Sequence, residues 1–176
     1  MAFIFPVLGK HPHLGKNCFI APNATIVGDV TMGNDCSVWF NAIIRGDVHY
    51  IKMGNKVNVQ DGAVVHCTYE KNPTNIGDNV SIGHNAIVHG CTVHDNVLIG
   101  MGSIVMDRCI IGSNSIIAAG AVVLEGTIVE EGSIYAGVPA KKVKDLPNEV
   151  IHEEINRIAN NYLKYSSWFS DIDAAK

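Results

Sequence analysis

A period of six residues runs through most of the chain and restricts its fold more tightly than any other feature. From Leu14, steps of six reach Ile20, Ile26, Met32, Val38 and Ile44, all apolar. After an insertion the series resumes at Met53, Val59 and Val65, and after a second at Ile76, Ile82 and Val88. One five-residue step leads to Val93. Six-residue steps then continue through Ile99, Val105, Ile111, Ile117, Val123 and Val129 to Tyr135. Four residues beyond the large apolar positions stand small or β-branched ones, among them Cys18, Ala24, Val30, Cys36, Ala63, Ala86 and Ser115. Glycine directly follows the apolar residue at Gly15, Gly33, Gly54, Gly77, Gly83, Gly100 and Gly112.

Neither an amphipathic helix nor a hairpin has that period. A short strand followed by a tight corner does, and three of them make a triangular coil of about 18 residues. The large aliphatic side chain of each step points inward and the small one fills the corner. The pattern resembles the hexapeptide repeat of left-handed β-helices, so the expected fold is an all-β solenoid, a left-handed parallel β-helix, with a C-terminal α-helix. Residues 1–140 are expected to form the β-helix domain and residues 141–176 a helical tail packed on it. In that tail Asn148 is a candidate N-cap, with Glu149, Glu153 and Glu154 early in the helix, where its dipole favours acids. Val150, Ile151, Ile155, Ile158, Tyr162 and Leu163 give an apolar stripe suited to covering an open edge of the solenoid.

Charge and composition narrow the class of partner. Lys plus Arg number 13 against 17 Asp plus Glu, and no basic run invites nucleic acid. No apolar stretch reaches the roughly 20 residues that span a bilayer, and no secretory leader opens the chain, so the expectation is a soluble cytoplasmic protein. The five cysteines are irregularly spaced with no C-x-x-C pair, which fits a reducing compartment rather than a disulfide framework. Cys18, Cys36 and Cys109 fall in the small-residue column and read as core.

Of the eight histidines, repeat arithmetic singles out three. His66 follows the inward Val65, and His89 follows the inward Val88. The steps Val65 to Ile76 (its turn expanded into the loop Cys67–Asn75), Ile76 to Ile82 and Ile82 to Val88 complete one coil. His66 and His89 therefore share a column on adjacent coils, about 4.8 Å apart. His84 stands two residues after Ile82 on the preceding face and points from another side of the triangle. A threefold ring of solenoids would bring it to the pair on a neighbour. Three neutral imidazoles with an open position are the ligand set of catalytic zinc. Cys67, though next to His66, points to the opposite face and is no fourth ligand.

The segments Arg45–Gly46–Asp47, Asn58–Val59–Gln60–Asp61–Gly62, Val65–His66, Gly83–His84–Asn85–Ala86–Ile87–Val88–His89–Gly90, Gly100–Met101–Gly102 and Ala136–Gly137–Val138–Pro139–Ala140 resemble the γ-class carbonic anhydrase family. The resemblance implies a homotrimer whose metal ligands are His66, His84 and His89, with His84 supplied by the adjacent subunit. It implies that Gln60 hydrogen-bonds the metal-bound water, that Asn58 orients Gln60, and that Tyr162 reaches the site from the C-terminal helix. Arg45, Asp47 and Asp61 match a charged cluster at the subunit contact. The implied activity is zinc-dependent hydration of carbon dioxide to bicarbonate by a metal-bound hydroxide, with Fe2+ or Co2+ as other metals that imidazoles accept. Alternatives are an acyl-CoA thioesterase using the same metal, a hexapeptide acyltransferase, and a non-catalytic metal-binding trimer.

One region departs from the family pattern. Val48 follows Asp47 where a proton-relaying carboxylate is expected, and Tyr69, with Glu70 beside it, stands where a second is expected. The sequence resembles the short carbonic-anhydrase-like branch, whose members are variously active, inactive or active on other substrates, and in this chain Tyr69, Glu70 or buffer is left to carry the proton.

Overall fold

The structure, a computed structural model, describes residues 1–169, without the side chains of Asn148, Ile151 and His152. The cap expected of Asn148 and the apolar contact expected of Ile151 lie outside the described side chains.

The chain winds into a left-handed parallel β-helix of about seven coils with a single C-terminal helix. Inward residues stack coil on coil: Ile26 pairs with Ile44, Ile44 with Val65, Val65 with Val88, Val88 with Val105 and Val105 with Val123. All six are fully buried, which is the physical meaning of the six-residue period. The long strand Ile43–Met53 runs past a corner and takes part in two faces. Its first half pairs with Val64–His66, and its second with Thr74–Ile76. The third face is an eight-stranded sheet that starts at Phe19–Ile20 and passes through Asn58–Val59 and Ser81–Ile82.

The repeat residues that are not apolar have equally local causes. A side chain at Gly100 would place Cβ 2.5 Å from the Ala119 nitrogen on the next coil, so the residue after the inward one must be bare there. The tight corners turn through left-handed backbone at Asn17, Asp35, Asn79, Asn96 and Asn114, with φ between 56° and 59°. Short polar side chains tolerate that conformation. They also bond along the corner: the Asn17 amide donates to Asp35 at 3.1 Å and the Asn79 amide to Asn96 at 2.9 Å.

Two details differ from the spacing. The loop after His66 is shorter than Cys67–Asn75, because strand pairing resumes at Thr74. The tail begins as a strand, Lys141–Asp145, antiparallel to Ser133–Ala136, before helix starts at Asn148. Helical winding is wide, π-type, over Ile151–Asn156 and ordinary over Arg157–Ser167. Ile155 is completely buried and packs with Leu146 against Leu98, Ile116 and Ile134. Ala159, one turn on, is buried as well, whereas Leu163, expected in the stripe, is exposed. Among the described residues no helix is long and apolar enough to cross a membrane.

Candidate metal centre

Strands Val64–His66 and Ile87–His89 lie in register, so His66 stands opposite His89. With Val65 and Val88 turned inward, both imidazoles project outward. His66 Nδ1 and His89 Nε2 are 3.1 Å apart. Two nitrogens on one tetrahedral zinc, each at 2.0–2.1 Å, would be roughly 3.3 Å apart, close to the separation found.

The far side of each ring is held by a carboxylate. His66 Nε2 lies 3.1 Å from Asp47 Oδ1, and His89 Nδ1 lies 2.5 Å from Asp107 Oδ1. A carboxylate accepts, so each ring carries its proton on that side. The two nitrogens that face each other are then both lone pairs with no proton between them. That arrangement is unfavourable until a cation enters it, and carboxylate-backed imidazole is the usual support of a metal ligand.

Electrostatics agree with a neutral His66 ring. Burial lowers the His66 pKa, as do the nearby Arg45 charge and His89, against the opposing bond to Asp47. Burial raises the Asp47 carboxyl, but bonds from His66 and from Arg45, whose Nη1 is 2.5 Å away, outweigh it and leave the pKa lowered. Asp107 behaves alike: burial opposes ionisation, and donors from Thr68, His89 and Asn72 prevail. Asp107 is not among the residues expected from the sequence. It sits in the corner two residues beyond Val105 and reaches back one coil, and an acid 18 residues after His89 was its only sequence signal.

His84 lies elsewhere, in the turn after Ser81–Ile82 on the third face. Its Nδ1 is 3.0 Å from Asp61 Oδ2, which again leaves Nε2 as the free lone pair, 3.3 Å from the Tyr162 hydroxyl. Burial and the Asp61 charge push the Tyr162 phenol up to about 12, so it stays protonated. Within one chain His84 does not join the His66–His89 pair. Among the described residues no three His, Cys, Asp or Glu side chains are placed to share an ion.

The predicted charged cluster divides accordingly: Arg45 pairs with Asp47, while Asp61 turns to His84. Gln60 is nearly buried, and its amide donates to Asn58 Oδ1 at 3.0 Å. Asn58 in turn donates to Ser81 Oγ at 2.7 Å, so Asn58 fixes the Gln60 amide from behind. Gln60, His84 and Tyr162 line one end of a cleft of about 400 Å³ between the coils and the C-terminal helix. Leu98, Ile116, Ile117 and Ile158 form its apolar wall. Trp39, which the repeat pattern does not single out, supports Tyr162 by an edge contact, ring centroids 5.2 Å apart. Tyr69 is exposed and lines, with Glu70, His49 and Asp47, a separate groove of about 370 Å³.

Comparison with known proteins agrees with the fold. Residues 11–46, 73–105 and 90–125 match the bacterial transferase hexapeptide family of six repeats. A solved structure of a hexapeptide transferase family protein from Anaplasma phagocytophilum superposes with a TM-score of 0.89 at 40% identity, covering 95% of this chain and 98% of that one. Gamma carbonic anhydrase 2, a mitochondrial protein of Arabidopsis thaliana, is 38% identical over 89% of this chain, which spans 58% of that longer protein. A carbonic anhydrase of Geobacillus kaustophilus is 47% identical across 96% of this chain and 92% of its own length. Likeness of that extent, on a coil that sets His66 against His89, makes this chain a member of the γ-class carbonic anhydrase-like family of hexapeptide-repeat proteins.

Proposed function

We propose that the protein is a homotrimeric zinc enzyme that hydrates carbon dioxide reversibly to bicarbonate, with His84 of one subunit completing the His66–His89 pair of the next. The observation that carries this reading is the pair of facing imidazole lone pairs, each ring fixed from behind by a carboxylate. When bound, zinc supplies the Lewis acid that makes water a nucleophile at neutral pH. The three neutral rings hold it without cancelling its charge. Gln60, locked by Asn58, orients the attacking water, and the protonated Tyr162 hydroxyl donates beside His84. Tyr69 and Glu70, in the groove that reaches Asp47, pass the released proton to buffer.

A second reading, acyl-CoA hydrolysis at the same centre, is favoured by one feature. The cleft beside His84 has the volume of pockets that hold drug-sized ligands, far more than carbon dioxide needs. Parallel assays on protein of verified zinc content separate the two. Carbon dioxide hydration is expected to dominate, and Gln60→Ala is expected to retain zinc while losing about 10- to 1000-fold in kcat. A fully metallated protein that hydrolyses acyl-CoA and leaves hydration at background would replace the first reading by the second.

A further inference from the structure

Phe19 pairs with Ser37 across the first two coils, and the Phe19 amide donates to the Cys36 carbonyl at 2.9 Å. The preceding residues, Cys18 and Cys36, are therefore stacked neighbours in one corner. Adjacent coils are spaced about 4.8 Å, inside the roughly 4.4–6.8 Å between Cα atoms that a disulfide spans. Each thiol lies against a corner carbonyl, Cys18 Sγ 3.3 Å from the Gly33 oxygen and Cys36 Sγ 3.2 Å from the Gly54 oxygen. The strand Phe19–Ile20 ends its sheet, and Cys18 is partly open to solvent while Cys36 beneath it is buried.

Cys91 and Cys109 have the same spacing and the same stacking, since Thr92 pairs with Ile110. Their surroundings differ. Thr74–Ile76 covers Cys91 from the other side, and both thiols are buried. Burial pushes both upward in pKa. The neighbouring Cys36 side chain instead pulls the Cys18 thiol below its ordinary range, and Cys18 together with burial raises that of Cys36.

We propose that Cys18 and Cys36 are a peroxide-reactive pair that closes into a disulfide clasping the first coil to the second, while the sealed pair Cys91 and Cys109 stays reduced. The Cys18 thiolate attacks one oxygen of hydrogen peroxide, the O–O bond breaks, and hydroxide leaves, giving a sulfenic acid on Cys18. The Cys36 sulfur then attacks the Cys18 sulfur, the S–O bond breaks, and the thiol proton leaves with the hydroxyl as water. The two thiols lose two electrons to the peroxide; the departing hydroxide takes up the proton that Cys18 gave up on ionising, so the products are one disulfide and two waters. A thiol-rich compartment would reverse it, the usual behaviour of a sensing disulfide under reducing conditions.

Both cysteines fall between Lys16 and Arg45 in one tryptic fragment, residues 17–45, whereas Cys91 and Cys109 fall in different fragments divided at Arg108. Intact protein treated with dilute hydrogen peroxide, alkylated in denaturant and digested should yield fragment 17–45 lighter by two hydrogens and unalkylated. Cys67, Cys91 and Cys109, three of the five thiols, should be fully alkylated, and dithiothreitol should restore the rest. In Cys36→Ser, checked for its β-helix by circular dichroism, Cys18 should stop at sulfenic acid and take up dimedone. Fragment 17–45 alkylated at both sites after peroxide would overturn the proposal. So would a Cys91–Cys109 link formed at the same rate, or a Cys36→Ser protein that leaves Cys18 unlabelled by dimedone.

Discussion

Asp47, Asp61 and Asp107 decide which nitrogen of each histidine is free. Each accepts the ring proton on one side and so leaves the lone pair on the other. The histidines themselves were legible in the sequence, because counting inward residues puts His66 and His89 in one column and His84 on another face. Their supports were legible only in part. Asp47 and Asp61 entered as members of a charged cluster, and the backbone period says nothing of a corner side chain such as Asp107 that reaches back to the previous coil. Thr68 and Asn72 hold the second oxygen of Asp107, so the short loop after His66 exists partly to keep this acid in place. Asp107→Asn keeps the shape and removes the charge behind His89. Its zinc affinity, measured by competition with a chelator, is expected to fall about 10- to 100-fold. An unchanged affinity would make Asp107 a loop anchor and nothing more.

At the scale of elements, the coil was readable because one side-chain rule recurs at every step and the C-terminal helix because of its apolar stripe, but the strand that opens the tail and the winding of the helix were not. The strand Lys141–Asp145 is exposed throughout and shows no alternation, so it reads as a basic linker. The helical stripe was drawn at a uniform 3.6 residues per turn. Wide winding over Ile151–Asn156 places roughly one extra residue in a turn and rotates the succeeding turns by about 100°. Ala159 lies against the solenoid four residues after Ile155, while Leu163 is exposed. Ile155 is a fully buried fastening of the element that carries Tyr162 to His84. Truncation of a buried isoleucine costs about 2–5 kcal/mol, here charged to helix docking rather than to the coils. Ile155→Ala should therefore speed amide exchange across Arg157–Ser167 by at least about tenfold and leave the coil amides protected. Equal exchange in the helix of both proteins would show that other contacts hold it.

At the scale of the whole molecule, the proposed centre is divided within one chain, with His66 and His89 together on one face and His84 on another. In the proposed closed threefold ring every interface would join the two halves, giving one site per subunit. Mixing defective chains tests this directly. His84→Ala and His66→Ala homotrimers should each bind no metal at these centres. In a mixed ring, one interface joins a His84→Ala chain, still holding His66 and His89, to a chain still holding His84. For equal random assembly three-quarters of rings are mixed, and each regains one site in three. Bound zinc and activity should thus return to about a quarter of the wild-type value. Zinc and activity that stay at the single-variant baseline in verified mixed trimers would contradict a centre shared between subunits.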